Sequence, residues 1–255
     1  LIDPLDALVI IAVGIVAGTV NTIVGAGSLL TFPTLLFLGY PPLVANVTNS
    51  IGLVPGTISG SIGYRRELAG QRARARPLLV AAGLGGLTGA CLLLVLPASA
   101  FARIVPILIL VACGLVAIQP RLSAWELERR ARSGVVHTGG GRILIGGVYL
   151  TAIYGGYFGA AQGVILIALL SILVDDDLQR LNGLKNLIAV VINSVAAIIF
   201  IALAPVAWLP ALFLAIGSTI GGQLGAVVGR RLSPLVLRGA IILVGTVVAV
   251  RLLLI

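Results

Sequence analysis

Residues 155–186 read GGYFGAAQGVILIALLSILVDDDLQRLNGLKN. A Gly-rich break (159–163) interrupts two apolar runs, an acidic triplet (Asp175, Asp176, Asp177) follows, and Lys185 heads a further apolar run. Lys185 is the ionisable side chain that this pattern sets at the edge of, or inside, an apolar layer rather than in a loop. An earlier stretch, GTVNTIVGAGSLLTFPTLLFLGYPPLVANVTN (18–49), has the same plan with Asn49 where the lysine would stand. The two stretches belong to an internal repeat that runs without a gap at a shift of 136 residues: Gly27 falls on Gly163, Asn46 on Asn182 and Asn49 on Lys185. Farther on, Leu84-Gly85-Gly86-x-x-Gly89-Ala90 falls on Ile220-Gly221-Gly222-x-x-Gly225-Ala226.

Composition names the solvent. Of 255 residues, 59% are hydrophobic and 10% charged, with a mean hydropathy of +1.18, whereas soluble domains carry about 25% charged residues. The apolar surplus is too large for one globular core, and its runs are continuous rather than alternating. A helical membrane protein is therefore expected, not a β-barrel. The net charge of +9 does not point to nucleic acid, because the arginines sit in loops. The opening LIDPLDALVIIAVGIVAG has no basic stretch before its apolar run, so no signal peptide is expected. Cys91 and Cys113 lie in apolar runs and read as packing residues.

Ten apolar segments are expected: 5–24, 28–38, 44–63, 77–96, 101–118, 142–159, 163–174, 184–203, 208–229 and 235–254. The second and seventh are too short to cross a layer of about 30 Å as helices, and each follows a Gly-rich break, so both read as broken or re-entrant helices. Pro33, Pro55 and Pro106 interrupt apolar runs and are expected to kink them. Residues 119–141, QPRLSAWELERRARSGVVHTGGG, form a basic polar linker, with room for a short surface helix carrying Trp125. The linker separates a first repeat (1–118) from a second (142–255), each of five segments. An odd number per repeat inverts one copy relative to the other. Arginines cluster at 65–76, 121–142 and 230–238, while the loops at 97–103 and 204–207 carry only Arg103. The asymmetry places the basic loops in the cytoplasm and both termini outside it.

Lys185 admits two readings from sequence. A lysine inside the membrane costs about 2.5–3.5 kcal/mol and normally faces a cavity or partner. No carboxylate lies inside any apolar run, so an anionic ligand is one reading; the other is snorkelling to headgroups or pairing with the Asp triplet. Asn182 lies on the same helical face, and Asn186 and Asn193 extend the polar set. The segments after the Gly-rich breaks start inside the protein, so the N–H groups near Gly27, Ser28, Gln162 and Gly163 suit an oxyanion; close packing by small residues is the competing account. Asn21, Thr48 and Asn49 form the first repeat's polar cluster, and interhelical hydrogen bonds compete with ligand binding as their reason. Gly217, Gly221, Gly225 and Gly229, with Gly85 and Gly89, read as close-packing seams. His137 is the single histidine and lies in the linker, with no zinc pattern or serine–base pair, so catalytic residues, metal and cofactors are not expected. No phosphate-binding loop is present either.

These motifs resemble those of the sulfite exporter TauE/SafE family, described also as probable membrane transporter proteins. The likeness covers nearly the whole chain. It rests on 18–49 and on YGGYFGAAQGVILIALL (154–170) followed by LNGLKN (181–186), in that order. Ala26 and Ser28 break the first Gly-rich run, and Gly183 stands where the family usually has Ala, but neither change removes a polar group. The resemblance implies a bacterial inner-membrane carrier of sulfite, sulfoacetate or related sulfonates, with two membrane-embedded repeats and a dimeric assembly. The expected ligand site is Lys185, Asn182, Asn186, Gln162, Gly163, Asn21, Gly27, Ser28, Thr48 and Asn49. An anion-selective channel with the same lining, and a membrane scaffold in which Lys185 only snorkels, are the alternatives.

Overall fold

The computed structural model describes residues 2–133 and 141–228, with positions 239, 242, 243, 246, 247, 249 and 250 beyond them. Most of the expected tenth segment (235–254), Gly229, and the linker's end with His137 lie outside the described residues. Among those described, the chain is all helical: α1 (Pro4–Ile23), α2 (Ser28–Phe37), α3 (Pro42–Gly63), α4 (Arg72–Val95), α5 (Ala98–Ser133), α6 (Gly141–Tyr157), α7 (Gln162–Leu173), α8 (Leu178–Leu203) and α9 (Trp208–Val228). Five are long and apolar enough to cross a membrane: α1, α4, the 98–118 part of α5, α8 and α9. At 10 and 12 residues, α2 and α7 span only about 15–18 Å and stop short of a crossing.

Helix starts fall earlier than hydropathy suggests, because caps rather than apolar residues begin a helix. Asp3 accepts from Leu5 N at 2.8 Å ahead of Pro4. Asp177 accepts from Gln179 N at 2.9 Å and starts α8 at Leu178, six residues before the expected 184. Helix α4 starts at Arg72 and runs through Pro77, and α2 and α3 continue through Pro33 and Pro55. The linker is corrected in part: α5 continues to Ser133, so 119–133 extends a transmembrane helix rather than forming a separate surface helix. The stretch contains no glycine before Gly134. At 36 residues α5 is about 54 Å long, well beyond the apolar layer.

The halves interlock. Helix α1 packs along α9, and α4 along α6; α3 lies on α9, and α4 on α8; α3 and α8 cross between them. This pairing is unchanged when the halves are exchanged at the repeat shift. The glycine seams lie at these cross-half contacts. A Cβ on Gly18 (α1) would sit 2.9 Å from Ser218 Cα, and one on Gly225 (α9) 2.8 Å from Thr19 O. On the other side, a Cβ on Gly89 (α4) would sit 2.8 Å from Tyr157 N. Small residues let these backbones touch. The outer surface carries exposed Leu8, Val80, Leu84, Val95, Ile143, Leu150, Ile198 and Leu212, an apolar belt suited to lipid. Cys113 is buried, whereas Cys91 faces outward from α4.

Candidate functional site

The two Gly-rich breaks meet. Helix α1 ends at Ile23, and Gly25 takes φ +82°, a left-handed conformation that favours glycine. Helix α6 ends at Tyr157, and Gly159 (φ +75°) and Ala161 (φ +58°) reverse the chain into α7. The Tyr154 hydroxyl donates to Ala160 O at 2.6 Å and fastens that turn. Gly163 N donates to Gly25 O at 3.1 Å, and a Cβ on Gly163 would sit 2.5 Å from Gly25 Cα. The N-termini of both short helices therefore start at one crossing. Their donors differ. Gln162, Gly163 and Val164 N–H donate to Gly159, Gly25 and Ala161 carbonyls. Gly27 and Ser28 N–H have no hydrogen-bond partner among the described residues, so the open donors are at α2.

Lys185 is 1% exposed. Its ammonium donates to Thr22 O at 3.1 Å and Ile23 O at 3.5 Å, and Asn186 Nδ2 donates to Thr22 O at 3.2 Å. Helix α8 thus supplies a cation and an amide to the last carbonyls of α1, which lack intrahelical donors and carry the negative end of the helix dipole. The lysine does not snorkel, and no carboxylate lies within 4 Å of it among the described residues. Asn182, one turn earlier, donates through Nδ2 to Tyr64 OH at 2.9 Å, while its Oδ1 is buried without a partner.

A second polar group sits where α3 and α8 cross. Thr57 Oγ1 accepts from Asn21 Nδ2 at 3.4 Å and from Asn193 Nδ2 at 3.5 Å, and Gln162 Nε2 donates to Asn193 Oδ1 at 2.8 Å. Residues from α1, α3, α7 and α8 are thereby linked. Thr57 was missed from sequence, although the repeat shift carries it onto Asn193 and would have found it.

The remaining expected residues lie elsewhere. Asn49 Oδ1 accepts from Thr31 Oγ1 on α2. Thr48 Oγ1 accepts from Ala207 N at 3.1 Å, and Asn46 Nδ2 donates to Tyr157 O at 3.1 Å. Contacts Tyr64–Asn182, Thr57–Asn193 and Thr48–Ala207 show α3 and α8 running antiparallel. Asn49 is eight residues from Thr57, and Lys185 eight from Asn193, in opposite directions, so each is about 12 Å along its helix from the crossing. Lys185, Asn182 and Asn186 form one group, Asn21 and Gln162 a central one, and Thr48 and Asn49 a third. Asn46 on α3 caps the end of α6, and Lys185 and Asn186 on α8 cap the end of α1, whereas Asn182, the residue onto which Asn46 falls at the repeat shift, bonds Tyr64 instead.

The acidic triplet serves the surface. Asp176 accepts from Arg74 Nη1 and Arg180 Nε, both at 2.7 Å. Burial pushes its carboxyl upward, but the hydrogen bonds from Arg74, the Asp177 N–H and Arg180 outweigh this and hold it below the ordinary aspartate value. The unfolded chain therefore takes up its proton first, and the stabilisation is full at neutral pH and drains away as pH falls below about 4. Asp176→Asn is expected to lower the melting midpoint of detergent-purified protein at pH 7 by about 2–4 °C. The gap from wild type should close toward pH 3, read by thermal unfolding across a pH series.

The family model described as "Sulfite exporter TauE/SafE" matches residues 10–252. The chain is 25% identical over 253 residues to Probable membrane transporter protein YfcA of Escherichia coli K12, covering 99% of this chain and 91% of the relative. It is 28% identical over 224 residues to a probable membrane transporter protein of Haemophilus influenzae, covering 87% and 85%. It is also 22% identical over 238 residues to Probable membrane transporter protein ORF9 of Sinorhizobium, covering 93% and 88%. No solved structure matches significantly. With the paired Gly-rich breaks in contact and the match spanning nearly its full length, the chain belongs to the sulfite exporter TauE/SafE family of membrane transporters.

Proposed function

We propose that this transporter is a secondary exporter of small sulfur-containing anions, such as sulfite, sulfoacetate or another sulfonate, across the bacterial inner membrane. The observation that carries the reading is the Lys185 ammonium, enclosed at 1% exposure without a carboxylate neighbour among the described residues and held on the carbonyls of Thr22 and Ile23, just before the Gly25 break that meets Gly163. A cation paired only with carbonyl dipoles has electrostatic attraction to spare for an anion, and a desolvated site strengthens that attraction. The open Gly27 and Ser28 N–H groups add donors at a helix N-terminus. In this reading Asn182 and Asn186 flank the ammonium, Asn21, Gln162 and Gly163 provide polar groups at the crossing, and Thr48 and Asn49 serve the anion on the opposite side of it.

In this reading the halves are inverted repeats that rock about the crossing, opening the site to either side in turn. The anion competes with Thr22 O and Ile23 O for the ammonium, so binding loosens the end of α1 from α8 and couples occupancy to movement. The arginine-rich loops face the cytoplasm, the termini face the periplasm, and the protein works as a homodimer without catalytic chemistry.

Radiolabelled sulfite uptake into proteoliposomes tests the reading. Saturable uptake, inhibited by unlabelled sulfoacetate and accelerated by counterflow, is expected. Flux linear in concentration without counterflow would turn the reading to a channel. No flux of any sulfonate or carboxylate above empty vesicles would overturn transport of these anions and favour a scaffold.

A further inference from the structure

We propose that the cavity between the first turns of α4 and α6 is a binding site for the phosphate headgroup of an anionic phospholipid. The cavity has a volume of about 420 Å³, in the range of small-molecule sites at about 300–1,000 Å³. Arg74 of α4 and Arg180 of α8 stand on its polar side, and Pro77, Leu78, Leu144 and Ile145 form its apolar wall. Two separate parts of the chain, 69–74 and 176–180, are locked together there: Gln71 Nε2 donates to Arg180 O at 3.0 Å, Arg180 Nη1 donates to Ala69 O at 3.2 Å, and both arginines hold Asp176.

The charge favours an anion. Two guanidiniums converge on Asp176, and among the described residues no acidic side chain lines the cavity. Arg74 Nε and Nη2 and Arg180 Nη2 have no hydrogen-bond partner among the described residues, which leaves one planar donor pair on Arg74 and a further donor on Arg180 for phosphate oxygens. Helices α4 and α6 both begin at this mouth, and neither has an acidic residue in its first turn, so two positive helix ends add to the field. The apolar wall argues for a lipid over a free ion. Beside it, Val80 and Ile143 are exposed at 63% and 74%, so the wall continues into the outer apolar belt where an acyl chain would lie. A basic pocket at the rim of a helix bundle, open to the acyl layer, has the chemistry of an anionic headgroup site. This assignment is independent of which anion the protein carries.

Native mass spectrometry of the full chain, delipidated in mild detergent and titrated with phosphatidylglycerol or phosphatidylcholine, tests it. A discrete phosphatidylglycerol adduct at least about tenfold tighter than the phosphatidylcholine one is expected. Arg74→Gln should weaken it by about tenfold or more, but that change also disturbs the Asp176 pair. Ala73→Trp keeps the test decisive: Ala73 lines the cavity on the exposed side of α4, so the indole fills the space and leaves the ion pairs in place. This variant should melt like wild type without lipid and lose the adduct. Equal binding of the two lipids, or wild-type phosphatidylglycerol binding by Ala73→Trp, would overturn the site. Thermal protection by inorganic phosphate or sulfite equal to that by phosphatidylglycerol would reassign it to a free small anion and overturn the lipid assignment.

Discussion

Lys185→Gln is expected to lower saturable anion uptake per folded molecule by about 30-fold or more, the equivalent of 2 kcal/mol or more for removing one partner of a buried charge interaction. Glutamine keeps a donor that can reach Thr22 O, so the end of α1 stays capped in part and the fold should survive. The charge is lost, and with it the attraction for an anion in a desolvated site. Asn186→Ala separates the two roles. It removes a hydrogen bond to the same carbonyl, 3.2 Å long, and costs about 1–3 kcal/mol of stability, while leaving the ammonium in place. Transport kinetics and melting midpoints of both variants form the measurement. If Lys185 serves only as a cap, both variants melt early and both transport normally once corrected for folded protein. If it holds the anion, Lys185→Gln raises KM or abolishes uptake to an extent well beyond any effect of Asn186→Ala. Lys185→Arg is expected to rescue poorly, because a planar guanidinium does not fit a pocket built around a point charge between two carbonyls.

Gly25→Ala is expected to prevent accumulation of folded protein. Its backbone is left-handed at φ +82°, which costs a residue with a Cβ about 1–2 kcal/mol. The added carbon also runs into the Gly163 backbone, and forcing atoms into a packed interior costs about 1–3 kcal/mol more. Gly39 is the internal control: its φ is +86°, but a Cβ there meets nothing within 4 Å. Gly39→Ala should therefore lose only the backbone part and still fold. Fluorescence-detected size-exclusion of the two variants in parallel measures the difference. Equal yields would mean that the contact between the breaks contributes nothing beyond backbone conformation.

Much of the architecture is legible in the sequence because it depends on local pattern. Long apolar runs with loop charges specify helices in lipid whatever their partners. Two runs too short to cross, each after a Gly-rich break, specify broken helices at α2 and α7. The repeat shift pairs Asn46 with Asn182 and Thr57 with Asn193, and the four-residue glycine spacing in 217–225 marks a seam. Helix ends were less legible, since Asp177 starts α8 through its carboxylate and 119–133 continues α5 through helix-forming residues, neither of which a hydropathy window registers.

The partners were decided by tertiary structure alone. Lys185 looked like a cation short of a carboxylate; its ammonium lies on Thr22 O and Ile23 O, and backbone carbonyls leave no mark in a side-chain pattern. The sequence also grouped Thr48 and Asn49 with Lys185, because the repeat superimposes them. In space the exchange of halves sends equivalent residues to opposite sides of the α3–α8 crossing, so a sequence match there means separation. The order and type of the helices follow from hydrophobicity and local capping, which each segment carries within itself. Which helix faces which, and which carbonyl meets which amine, follow from packing between segments more than a hundred residues apart.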